Sequence, residues 1–110
     1  MTIIAERRYR EGKAIGPALG SALPKEGEFD WIGLHEPDAA EMAQVQDRYG
    51  LHQLAVEDAM GGLQQPKAES YGKQLFVVAR TAGFAEGETI AYGQTAIFLG
   101  SNFIVTVRQG

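Results

Sequence analysis

The chain has 110 residues, 45% of them hydrophobic, the scale of one small domain (1–110) with a single core rather than a disordered segment. Ten Lys and Arg against 14 Asp and Glu give a formal charge of −4, which argues against nucleic acid as the main partner. The absence of cysteine excludes disulfide scaffolds, thiolate metal sites and thiol catalysis.

The N-terminal residues lack the charged-then-apolar order of a signal peptide, and no run approaches the roughly 18 apolar residues of a membrane span, so the sequence reads as soluble. Residues Ile3 to Ile15 predict a hairpin turning at Glu11-Gly12. Its basic residues, Arg7, Arg8, Arg10 and Lys13, have only Tyr9 as an interleaved aromatic and read as a solvated strand face. Gly16-Pro17, Gly20-Ser21, Pro24 and Gly27 then punctuate a loop. The aromatic-rich Phe29 to Leu34 reads as a strand.

A first helix is signposted by Asp38 after Pro37, with Glu41 three residues on, the arrangement of a capping box. Met42, Val45 and Tyr49 recur at helical spacing, and Gly50 suits the residue after the helix end. A short second helix is opened by His52 and stopped by Gly61-Gly62. Beyond it, Leu75 to Ala79 is a continuous apolar run expected of a strand covered on both faces. Gly83 to Gly93 reads as a loop turning at Glu86-Gly87. Gln94–Leu99 and Phe103–Arg108 form a hairpin around Gly100-Ser101-Asn102, the second strand having one wetter face. The order predicts an α+β fold, a mixed or antiparallel sheet with two short consecutive helices packed on it.

Enzymatic motifs are absent. His35-Glu36 is followed by Pro37-Asp38 and is not a helical His-Glu-x-x-His, so a zinc site would need ligands from distant parts of the chain. No glycine-rich phosphate loop is present, and Ser21, Ser70 and Ser101 lack a nucleophile-elbow context. A metal-dependent hydrolase built on His35, Glu57 and Asp58 is the enzymatic alternative, with no motif behind it.

Glu57 and Asp58 are the residues that ask for an explanation, because carboxylates are disfavoured at the carbonyl end of a helix. At about 100° per residue, Leu51, Leu54 and Ala55 share one side, Asp58 falls between Leu51 and Leu54, and Glu57 joins Gln53 on the polar side. A carboxylate on an apolar arc needs a partner. Three remain open: a helix-end bond to a backbone amide after Gly61 or to Lys67, a buried ion pair with Lys67 or Arg80, and a hard divalent cation such as Mg²⁺.

The stretches "FDWIGLHEPDAAEMAQVQDRYGLHQLAVEDAMGG", "QQPKAESYGKQLFVVAR" and "FLGSNFIVTVRQG", in this order over about residues 29 to 110, resemble the N-terminal cytoplasmic domain of CorA-type magnesium transporters. The Gly-Leu-His-x-Leu-Ala-Val-Glu-Asp block followed by Pro-Lys-x-Glu-x-Tyr carries most of the likeness, and Tyr9-Arg10-x-Gly12-Lys13 adds a weaker one. The resemblance implies the N-terminal part of an α/β/α soluble domain. It also implies a homopentamer at the cytoplasmic face of the cell inner membrane, two transmembrane helices per subunit, and a Gly-Met-Asn motif selecting hydrated Mg²⁺, with Co²⁺ also carried.

On the matching positions, Asp58 would bind a regulatory Mg²⁺ together with an acid of a neighbouring subunit, and Glu57 would assist, favouring the closed pore. The sequence departs from the pattern at Gln53, Gln65 and Gln109, where Pro, Arg and His are common. With neither the membrane region nor the pore motif present, the chain is expected to be a fragment that touches a membrane only through sequence beyond Gly110. The same domain of a ZntB-type zinc transporter, and a freestanding binding or assembly module, are the alternatives.

Overall fold

The computed structural model describes residues 3–62, 64–84 and 90–110. In chain order the elements are β1 (Ile3–Arg10), β2 (Lys13–Gly16), β3 (Glu28–His35), α1 (Ala39–Tyr49), α2 (Gln53–Met60), β4 (Lys67–Tyr71), β5 (Gln74–Phe84), β6 (Ile90–Leu99) and β7 (Phe103–Gln109). The strands form one sheet in the order β2-β1-β3-β7-β6-β5-β4. Only β3 and β7 pair in parallel among these neighbours. The chain leaves β3 through the two helices and returns by the meander β4 to β7, which brings its last strand alongside β3 in the same direction. The expected α+β class is the observed one.

Local chemistry accounts for the element ends. Glu11 and Gly12 have φ of 51° and 77°, as a two-residue type I′ hairpin turn requires, and Arg10 pairs with Lys13 across it. Asp38 accepts from the Glu41 amide while the Glu41 carboxylate accepts from the Asp38 amide, the reciprocal capping box. Gly50, at φ 63°, ends α1 in the left-handed region.

Three boundaries differ from the sequence reading. The edge strand β4 was not expected, because Lys67, Glu69 and Ser70 give it a polar composition typical of a protected sheet edge. Strand β5 runs on to Phe84 and β6 begins at Ile90, so most of the expected Gly83–Gly93 loop is ladder, from Thr81–Gly93 to Phe84–Ile90. Glu86 and Gly87 lie outside the described residues.

Both helices lie on one face of the sheet. Met42, Val45 and Tyr49 of α1 and Ala55, Val56 and Ala59 of α2 are buried against Ile32, Leu34, Phe76, Val78, Ala96, Phe98, Phe103, Val105 and Val107. Tyr49 of α1 meets Phe103 of β7 across the layers, and Phe76 meets Phe98 on the neighbouring strand, each pair at 4.9 Å between centroids. The opposite face carries the row Leu75, Leu99, Ile104 and Trp31, aligned across four strands. Leu75, Leu99 and Trp31 are each more than a third exposed, so the expectation that β5 is covered on both faces is corrected.

In the basic hairpin Arg7, Arg10 and Lys13 are exposed as expected, and the reading is corrected at Arg8 alone. Arg8 points inward, is buried, and meets Asp30 with Nε 2.8 Å from Oδ1 and a second guanidinium nitrogen 3.1 Å from Oδ2. Tyr49 donates its hydroxyl to the same Oδ2 at 2.8 Å. Loop 17–27 is fastened to this group, with Arg8 donating to the Ala22 carbonyl at 2.6 Å and Arg48 to the Ala18 carbonyl at 2.7 Å. Burial of the Tyr49 hydroxyl, more than its hydrogen bonds, pushes its pKa up to about 12. The bond to Asp30 raises that of Arg8 further. The network fixes the end of α1, and thereby the Gly50-Leu51 junction from which α2 starts.

Candidate functional site

The site is built on α2 and the edge strand beside it. His52 is the N-cap, its Nδ1 accepting from the Leu54 amide at 3.2 Å, and its ring stacks on Tyr71 of β4 with centroids 4.2 Å apart. At the other end, Gly61 stops the helix in an extended conformation, and Gln109 Nε2 donates to the Ala59 carbonyl at 3.2 Å. Gln109 and Gln53, two of the positions where the sequence departs from the family pattern, are thus both engaged; Gln53 accepts from Gln46 at 2.8 Å.

The helix is rotated from the expected phase. Its buried arc is Ala55, Val56 and Ala59, whereas Leu54 is 56% exposed. Leu51 is buried but precedes the N-cap His52, so its position carries no helical phase. Asp58 consequently lies on the flank of the apolar arc, its side chain 30% exposed, and Glu57 lies on the outer face, exposed as expected.

Lys67 answers for Asp58. Its Nζ lies 2.5 Å from Asp58 Oδ2 and 2.7 Å from Glu69 Oε1, so one ammonium is shared between a carboxylate of α2 and one of β4. Tyr71 closes the chain by donating to Glu69 Oε2 at 2.8 Å. The residues of the Pro-Lys-x-Glu-x-Tyr motif therefore alternate along one face of β4 and hold α2 at both ends, Lys67 on Asp58 and Tyr71 on His52. A cation at the carbonyl end of α2 also offsets the unfavourable placement of acids there.

The bonds to Asp58 and Glu69 raise the Lys67 pKa, and the Lys67 ammonium, followed by the Tyr71 hydroxyl, holds Glu69 below the usual carboxylate range. The Glu69 bond in turn raises Tyr71. All three charged side chains are about one-third exposed or more, so solvent screening keeps each pair's contribution small. Their effect is chiefly to set where α2 ends.

Sequence reasoning brought Glu57 and Asp58 together on one helix but did not place Glu69, whose i, i+2 spacing from Lys67 was the available signal. His35 ends β3, and His52 is committed to its cap. Among the described residues no group of three or more His, Cys, Asp or Glu converges to hold a metal, and His35 does not join Glu57 and Asp58. No helix among the described residues is long and apolar enough to cross a membrane.

With this geometry in place, comparison with known proteins identifies the lineage. Residues 26–110 match the model of the CorA-like Mg2+ transporter protein family, and the chain belongs to that family. It is 32% identical over 76 residues, 69% of its length, to the putative metal ion transporter YfjQ of Bacillus subtilis (strain 168). The fold superposes on the full-length CmaX protein with a TM-score of 0.76 at 16% identity, over 99% of this chain and 35% of that one. For the soluble domain of CorA from Methanocaldococcus jannaschii the TM-score is 0.72 at 15% identity, over 100% of this chain and 42% of that one. The ZntB cytoplasmic domain from Vibrio parahaemolyticus RIMD 2210633 gives 0.69 at 10% identity, over 97% and 43%. The chain spans 23% of YfjQ and less than half of each of these structures.

Proposed function

We propose that this chain is the cytoplasmic, cation-sensing part of a CorA-type transporter of divalent cations, Mg²⁺ with Co²⁺ as a second cargo, working as a homopentamer at the inner membrane. Asp58, with Glu57 beside it, is the regulatory position, binding an Mg²⁺ shared with an acid of the neighbouring subunit. The reading rests on one observation: within a CorA-family chain, Asp58 stands partly exposed at the end of α2, flanking the core rather than sealed in it. Carboxylates facing each other across a subunit boundary repel, and a bound divalent ion reverses the sign of that interaction. Ion level and ring geometry are then coupled, so that Mg²⁺ favours the closed pore.

The test is cation flux through the full-length protein reconstituted in vesicles. Asp58→Asn is expected to weaken inhibition by cytoplasmic Mg²⁺, and unchanged inhibition would sink the assignment. The likeness to a ZntB cytoplasmic domain supports a zinc-carrying variant of the same reading, which Zn²⁺ flux exceeding Mg²⁺ flux in the same vesicles would favour.

A further inference from the structure

In the proposed function Asp58 takes a divalent cation, yet its Oδ2 already has a cation on it, the Lys67 ammonium at 2.5 Å. The same nitrogen is 2.7 Å from Glu69 Oε1, so two carboxylate oxygens from different elements converge on one positive centre. Oδ2 of Asp58 is therefore not an open seat for Mg²⁺ as the chain folds. An ion arriving there meets both the bulk and the charge of the ammonium, and would leave Lys67 with Glu69 as its carboxylate.

We propose that a divalent cation binds Asp58 only by exchange for the Lys67 ammonium, and that the exchange releases the end of α2 from β4. The inference rests on the regulatory reading of Asp58 and adds a competitor within the chain. Lys67 and a divalent ion satisfy the same carboxylate, so each reduces the apparent affinity for the other. In the absence of divalent ions Lys67 ties the last turn of α2 to the edge strand. When an ion takes Asp58, Lys67 retains Glu69 alone, and the contact linking α2 to β4 through Asp58 is lost. A free-energy difference between two occupants is thereby turned into a change in how α2 sits on the sheet.

The test uses the 110-residue chain with Mn²⁺ as the probe, followed by the loss of the free-ion electron paramagnetic resonance signal and by broadening of backbone amide resonances. Wild type is expected to bind weakly. Lys67→Met removes the competing charge and is expected to tighten binding by up to about fivefold, the most that a solvent-screened pair at this exposure can withhold from the ion. Lys67→Arg, which keeps the charge, is expected to behave as wild type. Asp58→Asn placed on Lys67→Met is expected to abolish the gain, with broadening centred on residues 57–59 in its absence. Should Lys67→Met fail to fold, Lys67→Gln makes the same comparison with hydrogen-bond donors retained. Equal Mn²⁺ affinity in wild type and Lys67→Met, with Asp58→Asn weakening both, overturns the exchange and leaves Asp58 as a cation ligand. Binding that Asp58→Asn does not alter in any background overturns both.

Discussion

Replacing Asp30 with alanine removes the acceptor at the centre of the buried group formed by β1, β3 and α1. Asp30 is fully buried and receives two bonds from Arg8, at 2.8 and 3.1 Å, and one from the Tyr49 hydroxyl at 2.8 Å. The variant leaves a guanidinium 10% exposed with its charge unpaired, and orphans a hydroxyl in the core. Removing one partner of a buried pair costs about 3–5 kcal/mol, a figure that already contains most of the loss at Tyr49. Against the 5–15 kcal/mol typical of a whole domain, a loss of about 4 kcal/mol is most of the reserve of a small one. Urea unfolding followed by Trp31 fluorescence and far-ultraviolet circular dichroism is expected to show the midpoint falling by about 2 M at unchanged slope. Arg8→Met alone is expected to cost a similar amount, whereas Arg8→Met with Asp30→Leu costs less than the two singles together, because the double variant removes both charges of that pair and leaves only Arg48, 4.0 Å from Asp30 Oδ2, without its carboxylate. A cost below about 1 kcal/mol for Asp30→Ala would mean that water reaches the group, and would refute its role in fixing loop 17–27 and the end of α1.

Two further outcomes follow from the same geometry. Leu99 lies in the apolar row on the uncovered sheet face, so Leu99→Lys is expected to raise solubility, read by light scattering at high protein concentration, while shifting unfolding stability by no more than about 0.5 kcal/mol. Glu28 is held below the usual carboxylate range by the Lys25 amide at 2.9 Å and then by Arg10, as Glu69 is by Lys67 and Tyr71. Their folded values lie below the unfolded one, so this stability is complete above about pH 4.3 and is lost as pH falls through the folded values. Glu28→Gln and Glu69→Gln are each expected to flatten the fall in melting temperature below that pH, and an unchanged acid slope in both would contradict the assignment.

Most of the architecture was legible because its signals are local. The Glu11-Gly12 turn, the Asp38/Glu41 capping box, the Met42-Val45-Tyr49 stripe and the Gly100–Asn102 hairpin each depend on a few neighbouring residues, and each was found where expected. The site was half legible. Periodicity put Glu57 outward, but it placed Asp58 on a packing arc by counting Leu51, a residue that precedes the helix. Strand β4 was hidden because an edge strand is selected for polarity, which removes the alternation that reveals other strands. Asp30 could have been noticed, since it alternates with Ile32 and Leu34 on the inner face of β3.

The sequence by itself determined the elements, the class of fold and, through its motifs, the family, because turns, caps and hydrophobic periods act over a few residues and leave their mark in order. Only the tertiary structure decided the partners of the charges. Arg8 and Asp30 are 22 positions apart and Asp58 and Lys67 nine, and which cation faces which carboxylate depends on strand order and helix rotation. Electrostatic pairing acts through space, and a one-dimensional pattern does not carry that distance.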